Sequence, residues 1–410
     1  MKKQSGSLSR LCRTAALVAV GCSLAVSATI TTSRAEDPIK LGVFLSLTGP
    51  GAAGAAPNKM GVEMAVEELN ASGGIAGRQI ELLYADDQSN PTVAVSEITR
   101  LVHREGVHIV AGPQNSQVNL AALPTLTEGN VASLSMTGAS ALTPQAGPYH
   151  FSVLPSAAAS GRNLGQYTAA HSKKPAILFD DASATLSGMV GFREELEKAG
   201  IKLVAEQQYK FHPSDTTPQL LALRRAEPDF LAYFSASQDD VGIVQKNLQE
   251  IGWEIEQATS LAGSVNPGLV ISIAGPDAYK NMVAQTMAQF TYCPDSPQGS
   301  PVLAEFVEKL NAYTKAKGLE SRASDYLNVA VGYEWVMIFK QAIEATGSTD
   351  GDVIAKWIEE NAGSLKRVIA DTAQASPEDH FLSGPEAYTM VVHPENRNEY
   401  GLQQRADCKS

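Results

Sequence analysis

The chain has 410 residues, of which 44% are hydrophobic and 19% are charged, a composition typical of a globular protein with a sizeable core. This length suits two domains or one large one. The formal net charge of −12 at pH 7 argues against nucleic acid and anionic membranes as partners, because a strongly acidic surface repels both.

The first 35 residues have the pattern of a secretory signal peptide. Basic residues from Lys2 to Arg13 precede an apolar stretch, AALVAVGCSLAVSA, that is too short to remain in a membrane as an ordinary spanning helix. Small residues stand at the usual cleavage positions, Ser33 and Ala35, so we expect cleavage after Ala35. This would remove five basic residues and change the net charge from −12 to −17. Cys22 leaves an alternative open, since it could be a lipid-attachment cysteine.

Two cysteines remain after cleavage, Cys293 and Cys408. Exported proteins fold in an oxidising compartment, where a pair of cysteines commonly forms a disulfide. We therefore predict a disulfide between Cys293 and Cys408 that holds the C-terminal tail to a mid-chain segment. Two free buried thiols are the alternative.

From Ile39 onward, strand-like and helix-like runs alternate with short connections. Apolar β-rich runs predict strands, and apolar residues at helical spacing predict helices. The first runs in chain order are IKLGVFLSLTG (strand), NKMGVEMAVEELNASGG (helix), QIELLYADD (strand), TVAVSEITRLVHREG (helix), VHIVAGP (strand), SQVNLAALPTLTEG (helix) and VASLSMTG (strand). This order predicts a parallel sheet covered on both faces.

The same cycle restarts after YHFSVLPSAAASGRN. Its runs are GRNLGQYTAAHS (helix), KPAILFDD (strand), GMVGFREELEKAG (helix), IKLVAEQQY (strand), TTPQLLALRRAEP (helix), DFLAYFSA (strand), DDVGIVQKNLQEIGW (helix) and EQATSLAG (strand), followed by three late helices and a strand-like tail at YTMVVHPENRN. We predict an α/β fold with two doubly wound parallel-sheet lobes. Ligands of such sheets bind beyond the carboxyl ends of the strands.

The segment NASGGIAGRQIELLYADDQSNP is interpreted as scaffold. Gly73 and Gly74 suit a left-handed helix cap. Asp86 and Asp87 end a strand and are predicted to hold the next turn through side-chain-to-backbone hydrogen bonds. Neighbouring strand residues point to opposite faces, so a shared acid–base or metal role is not expected.

Known catalytic and nucleotide-binding motifs are missing from the sequence: we find no G-x-S-x-G, H-E-x-x-H, P-loop or dinucleotide fingerprint. His103 and His108 are five residues apart, a spacing that separates them around a helix. The prediction is a protein that is not an enzyme and needs no cofactor or metal.

Several of these segments resemble one family in sequence and in order. IKLGVFLSLTGP, NKMGVEMAVEELNASGGIAGRQIELLYADDQSNP, VHIVAGPQNS, LSMTGAS and GYEWVMIFKQAIEATGS are similar to segments of solute-binding proteins of branched-chain amino-acid-type ABC importers. The resemblance implies a type I periplasmic binding fold, a small-molecule ligand, an inner-membrane permease as partner, a periplasmic location and a monomer. It also implies three crossovers, which we place near Val153, Phe290 and Met390. The resulting bounds are 36–153 plus 291–389 for lobe 1 and 154–290 plus 390–410 for lobe 2.

The resemblance also implies a set of ligand-binding residues. The family holds the ligand's carboxylate on the first lobe with hydroxyl and backbone N–H groups, and the matching loops here are GPQNSQ and TGAS. Small residues let N–H groups approach an anion, and hydroxyls donate to it. A serine before a helix can instead be a cap. The predicted ligand-binding residues are Asn115, Ser116, Gly138, Ala139, Ser140, Thr185, Ala236, Gly263 and Tyr326.

The sequence departs from the family's amino-acid binders at three positions. The aromatic positions fall near Gly54 and at Thr185, and the acid that receives the ligand's ammonium falls near Gly263. A buried ammonium without an anionic partner costs several kcal/mol, unless Asp181, Asp239 or Asp240 replaces the acid. We therefore expect an aromatic or other organic acid without an α-ammonium group. A branched-chain or other amino acid, or an amide, is the alternative ligand, and a ligand-sensing subunit for a separate receptor is the alternative function.

Overall fold

The computed structural model describes residues 37–319 and 326–408, so the predicted signal peptide and Cys22 lie outside the described residues. The strands are β1 (Ile39–Leu45), β2 (Ile80–Asp86), β3 (Ile109–Ala111), β4 (Ala132–Ser135), β5 (His150–Ser152), β6 (Pro175–Asp180), β7 (Ala205–Tyr209), β8 (Phe230–Phe234), β9 (Gln257–Thr259), β10 (Met282–Met287), β11 (Thr291–Tyr292), β12 (Tyr388–Val392) and β13 (Gln403–Gln404).

The α-helices alternate with these strands. They are α1 (Ala52–Ala71), α2 (Pro91–Thr99), α3 (Ser116–Glu128), α4 (Ala157–His171), α5 (Ser183–Lys198), α6 (Thr217–Arg224), α7 (Gln238–Glu250), α8 (Ala262–Val265), α9 (Pro267–Ala274), α10 (Pro301–Lys317), α11 (Tyr326–Thr346) and α12 (Gly351–Asn361). Within the described ranges, no helix combines the length and the apolar character needed to cross a membrane.

Two separate sheets organise the chain. The first has the order β2-β1-β3-β4-β5, and all its strands are parallel. The second has the order β12-β10-β9-β8-β6-β7, parallel except for its edge strand β12. Successive strands are added on both sides of β1, as in a doubly wound sheet. The predicted α/β class is confirmed.

The chain passes between the two sheets three times. Strand β5 ends the first sheet before α4 and β6 begin the second part. After β10 the chain returns, because α10 and α11 supply Phe306 and Trp335 to the core around the first sheet. It then adds β12 to the second sheet. We call the parts around the first and second sheets lobe 1 and lobe 2; their predicted residue bounds stay a prediction.

Glycines let helices pack closely in both lobes. In lobe 1, a Cβ at Gly61 of α1 would lie 2.0 Å from the Val329 carbonyl of α11. In lobe 2, a Cβ at Gly161 of α4 would lie 1.7 Å from the Gly188 carbonyl of α5. Neither distance is physically possible, so any larger residue must push these helices apart.

The hydrogen bonds of the Asn70–Pro91 segment confirm the predicted glycine cap and aspartate turn, and Ser89 of this segment also lines the cavity described below. Gly74 has φ of +85°, and its N–H donates to the Leu69 carbonyl at 2.8 Å to close the end of α1. Asp86 Oδ1 accepts from the N–H of Gln88 (3.0 Å), and Asp87 Oδ1 accepts from the N–H of Ser89 (2.7 Å). Both carboxylates therefore stabilise the turn before α2.

Some predicted elements begin or end elsewhere. The first helix starts at Ala52 rather than near Asn58, and its first two turns include Gly54 and Pro57. The strand predicted from Ile201 begins only at Ala205. The strand predicted to run through Gly263 ends at Thr259, and Gly263 lies in α8.

The C-terminal tail is attached to the middle of the chain. Cys293 and Cys408 form a disulfide with their Cα atoms 5.5 Å apart, as the cysteine count had predicted. Close to it, β11 pairs with β13 in a small separate sheet. A covalent link and backbone hydrogen bonds therefore hold the tail.

Candidate functional site

A cavity of about 180 Å³ lies between the carboxyl ends of the two sheets. Its walls include the segments that follow β1 to β5 in lobe 1 and β6 to β9 in lobe 2. The volume is below the roughly 300–1,000 Å³ typical of pockets for drug-sized ligands. The cavity therefore suits a small solute held from both lobes.

Ser116 is the central polar residue on the lobe 1 wall. It is the first residue of α3, and its Oγ accepts long hydrogen bonds from the N–H groups of Gly138 (3.3 Å) and Ala139 (3.4 Å). The hydroxyl hydrogen is left to be donated. Asn115, not Ser116, caps the helix, through a hydrogen bond from the Gln117 N–H to its Oδ1 (2.8 Å). The positive end of α3 and a hydroxyl donor thus face the cavity together.

A buried polar network holds the loop after β4. Asn119 Nδ2 donates to Thr137 Oγ1 at 2.7 Å and lies 2.9 Å from His150 Nε2. Ser135 Oγ joins the same group. Complete burial lowers the pKa of His150 to about 3, so this histidine is neutral at pH 7. The network positions Thr137 and Gly138, which line the cavity.

On the lobe 2 wall, Asp180 ties two loops together. Its carboxylate accepts from the N–H groups of Ala182 (2.9 Å) and Ala236 (2.7 Å). Burial raises the pKa of Asp180 to about 6, although these N–H groups lower it. Since the Ala236 N–H is already used, Ala236 lines the cavity mainly with its small side chain.

His212 is a lining residue that the sequence did not single out. It lies between β7 and α6 and stacks on Phe211. Its Nδ1 is 3.1 Å from Asp239 Oδ2 and 3.4 Å from Asp240 Oδ1. Burial alone would lower the pKa of His212, but the hydrogen bonds and charges of these two aspartates raise it to about 9. The ring is therefore an imidazolium at pH 7.

The described residues that line the cavity include no aspartate, glutamate, lysine or arginine. His212 and Tyr388 are the lining side chains that can ionise, and burial raises the pKa of Tyr388 well above its usual value. Within the described ranges, one group of side chains has donor atoms close enough together to hold a metal ion. It consists of His212, Asp239 and Asp240, whose donor atoms lie within 4.8 Å of one another. The cavity wall itself is neutral or positive at pH 7.

Some lining residues carry a buried side-chain atom without a hydrogen-bond partner. The atoms are Asn58 Oδ1, Gln114 Oε1, Ser183 Oγ and Asn328 Oδ1. Buried polar atoms are nearly always paired in native proteins, so these four atoms are exceptions that lie in residues of the cavity wall. Three of the four are amide oxygens, which accept hydrogen bonds.

Of the predicted ligand-binding residues, Asn115, Ser116, Gly138 and Ala236 line the cavity, and the other five do not. Ala139 packs with Leu123 and Leu142. Thr185 is fully buried in α5. No ligand contact tests these assignments, which stay predictions.

The remaining three have other neighbours. Ser140 contacts Ser187 of α5 in lobe 2, with its N–H 3.0 Å from the Ser187 Oγ. Gly263 packs against Thr259, whose side chain would be 2.2 Å from a Cβ at this position. Tyr326 packs against the C-terminal tail at Gly401. These three residues therefore have neighbours outside the cavity lining, and their role in ligand binding stays a prediction.

The two lobes also touch at the rim of the cavity. Gly54, where the family resemblance placed an aromatic, lines the cavity in the first turn of α1. A Cβ there would lie 3.4 Å from Gln238 Oε1 of lobe 2. With the Ser140–Ser187 contact, this brings both lobes together around the cavity.

Comparison with known proteins agrees with the family resemblance seen in the sequence. The family model described as "Periplasmic binding protein" matches residues 38–393. A Leu/Ile/Val-binding protein homolog 1 from Brucella suis is 27% identical over 365 residues, which cover 88% of this chain and 93% of that protein.

Two solved structures show the same fold. The branched-chain amino acid transporter substrate-binding protein LivJ from Streptococcus pneumoniae, in complex with isoleucine, has a TM-score of 0.74 and 19% identity, covering 89% of this chain and 97% of that one. An ABC transporter solute-binding protein from Rhodopseudomonas palustris, in complex with 3,4-dihydroxybenzoic acid, has a TM-score of 0.67 and 20% identity, covering 87% and 93%.

Proposed function

This chain belongs to the periplasmic binding protein family, and on that premise we propose that it delivers a small organic acid without an α-ammonium group to an ABC importer. It is an extracytoplasmic solute-binding protein of branched-chain amino-acid type and not an enzyme. Export through cleavage after Ala35 and delivery to an inner-membrane permease are parts of the proposal.

The observation that carries the ligand proposal is the charge of the cavity wall. The described lining residues include no carboxylate that could pair with an ammonium. An ammonium buried without an anionic partner costs several kcal/mol. A cavity with a neutral or positive wall therefore favours an acid over an amino acid.

The aspartates that could replace the missing acid are already engaged. Asp181 Oδ1 accepts from the Phe211 N–H at 2.7 Å. Asp239 and Asp240 both contact His212 Nδ1. None of the three lines the cavity, so moving one to an ammonium would break contacts that hold the lobe 2 wall.

The unpaired amide oxygens narrow the ligand further. Asn58, Gln114 and Asn328 line the cavity and carry buried amide oxygens without a hydrogen-bond partner. If the ligand reaches one of these oxygens, a hydroxyl group would satisfy it better than a second apolar group. A hydroxylated aromatic acid fits both the acceptors and the Ser116 hydroxyl donor. The aromatic acid bound by the Rhodopseudomonas palustris protein supplies a suitable test compound.

The test is a thermal-shift screen followed by calorimetry on the mature chain, refolded from denaturant to remove carried-over solute. Matched pairs separate the acid from the amino acid: phenylpyruvate against phenylalanine, and 4-methyl-2-oxopentanoate against leucine, with 3,4-dihydroxybenzoate added. We expect stabilisation by an acid and none by its amino-acid partner. A ligand at about 100 times its Kd stabilises by about 2.7 kcal/mol. Tight binding of leucine or valine would refute the proposal.

A substitution of Ser116 tests whether the lobe 1 wall of the cavity binds the ligand. For the acid that binds, Ser116→Ala should raise Kd more than tenfold, because the hydroxyl donor is lost, and the unfolding midpoint without ligand should not change. Ser140→Ala is the matched serine outside the cavity, and we expect a smaller effect from it. Equal affinity of wild type and the Ser116→Ala, Ser140→Ala double variant would show that the site lies elsewhere.

A transport assay distinguishes a protein that delivers its ligand to a permease from one that serves as a sensing subunit. Deletion of the gene should abolish uptake of the labelled acid, if the protein serves an importer. Unchanged uptake together with loss of a transcriptional response to the acid would favour the sensing subunit.

A further inference from the structure

His212 is fixed in the lobe 2 wall from one side only. Its backbone N–H donates to Asp240 Oδ2 at 3.2 Å, and its Nδ1 is shared between Asp239 and Asp240 at the start of α7. Two carboxylates at Nδ1 keep a proton on that nitrogen. Nε2 has no hydrogen-bond partner in the part of the chain that the structure describes, and the side chain is 24% exposed. His212 itself lines the cavity.

We propose that His212 is the cationic contact of lobe 2 and donates a hydrogen bond from Nε2 to an anionic group of the bound solute. This inference rests on the proposed function, and it names the residue that selects for charge. The cavity then holds an anion between a hydroxyl donor on lobe 1, Ser116, and an imidazolium on lobe 2.

The groups around the ring support this role. Asp239 and Asp240 face it from α7, Asp181 lies beside it through the Phe211 N–H, and Asp180 lies at the end of β6 near Asp240. These acids keep the proton on the ring, which agrees with a pKa raised to about 9. Buried Tyr209 is neutral, because burial raises its pKa. Lys210 is exposed on the same segment and does not line the cavity.

The protonation state of His212 decides which class of ligand the cavity favours. A neutral histidine would present an accepting Nε2, which suits an ammonium or a hydroxyl. An imidazolium presents a donating Nε2, which suits a carboxylate and repels an ammonium. Because a raised pKa keeps the charge up to about pH 9, the anion contact is present at pH 7 and is lost as the pH rises through 9.

The experiment uses acetate as a minimal carboxylate and acetamide as its neutral match, at constant ionic strength. NMR on the uniformly labelled mature chain follows the histidine ring and backbone amide resonances, and the His212 ring signal is assigned by its loss in His212→Gln. We expect acetate, but not acetamide, to shift the His212 ring saturably at pH 7.5. The response should fade between pH 8 and 10. His103→Gln, an exposed histidine that does not line the cavity, is the matched control and should change nothing.

The outcomes separate this inference from the proposed function. If acetate shifts the Gly138 amide but not the His212 ring, His212 is not the anion contact, while lobe 1 still binds a carboxylate. If neither responds, both proposals are wrong. With any acid from the ligand screen, His212→Gln should raise Kd at least tenfold and flatten its dependence on pH. An acid that binds equally to wild type and His212→Gln from pH 7 to 10 overturns the inference.

Discussion

Replacing Arg367 with methionine tests whether the contacts of this one buried side chain stabilise the chain at the first crossover. Arg367 and Glu334 form an ion pair at 2.7 Å, and each side chain is only 1% exposed. The same guanidinium donates to the carbonyls of Leu382 and Val153, both at 2.6 Å, and to Ser383 Oγ at 2.8 Å. One buried side chain thus connects α11 with the chain segment where β5 leaves the first sheet.

The expected loss follows from what Arg367→Met leaves behind. The Glu334 carboxylate would keep only the N–H groups of Val368 (2.7 Å) and Ile369 (2.9 Å). The Val153 and Leu382 carbonyls would lose a charged donor. Removing one partner of a buried ion pair costs roughly 3–5 kcal/mol, against a total stability of about 5–15 kcal/mol for typical proteins. We therefore expect the loss of at least about a fifth of the free energy of unfolding.

Urea unfolding followed by tryptophan fluorescence measures this loss, and buried Trp335 lies next to Glu334 on α11. Lys340→Met is the matched control, because it breaks a partly exposed pair with Glu344 on the same helix. Such a pair contributes only about 0.3–0.5 kcal/mol. A loss below about 1 kcal/mol for Arg367→Met, or equal losses for the two variants, would refute the reasoning.

Two further variants test the packing and the tail. Gly161→Ala should destabilise by about 1–3 kcal/mol, because the new Cβ would lie 1.7 Å from a carbonyl of α5. Gly363→Ala has open space around its Cβ and should change the thermal midpoint little. Replacing both Cys293 and Cys408 by serine opens a link between residues 115 apart and should remove up to about 4 kcal/mol. A wild-type chain whose unfolding is unaffected by reductant would contradict this last expectation.

Much of the fold could be predicted from the sequence because its signals are local. The alternation of strand-like and helix-like runs, the glycine cap at Gly74 and the turn held by Asp86 and Asp87 each depend on residues within a few positions of one another. The rule that ligands bind beyond the carboxyl ends of parallel strands then placed Ser116 and Gly138 near one edge of a sheet.

The charge and shape of the candidate site were decided only by the tertiary structure. Chain order alone indicated Ser140, Gly263 and Tyr326. Their neighbours are lobe 2, β9 and the tail, because the contacts of a residue depend on what the folded chain places beside it. His212 shows the same point for electrostatics. Its cationic character comes from aspartates 27 and 28 residues further along, and only the packing of α7 beside the β7–α6 loop brings these charges to the ring.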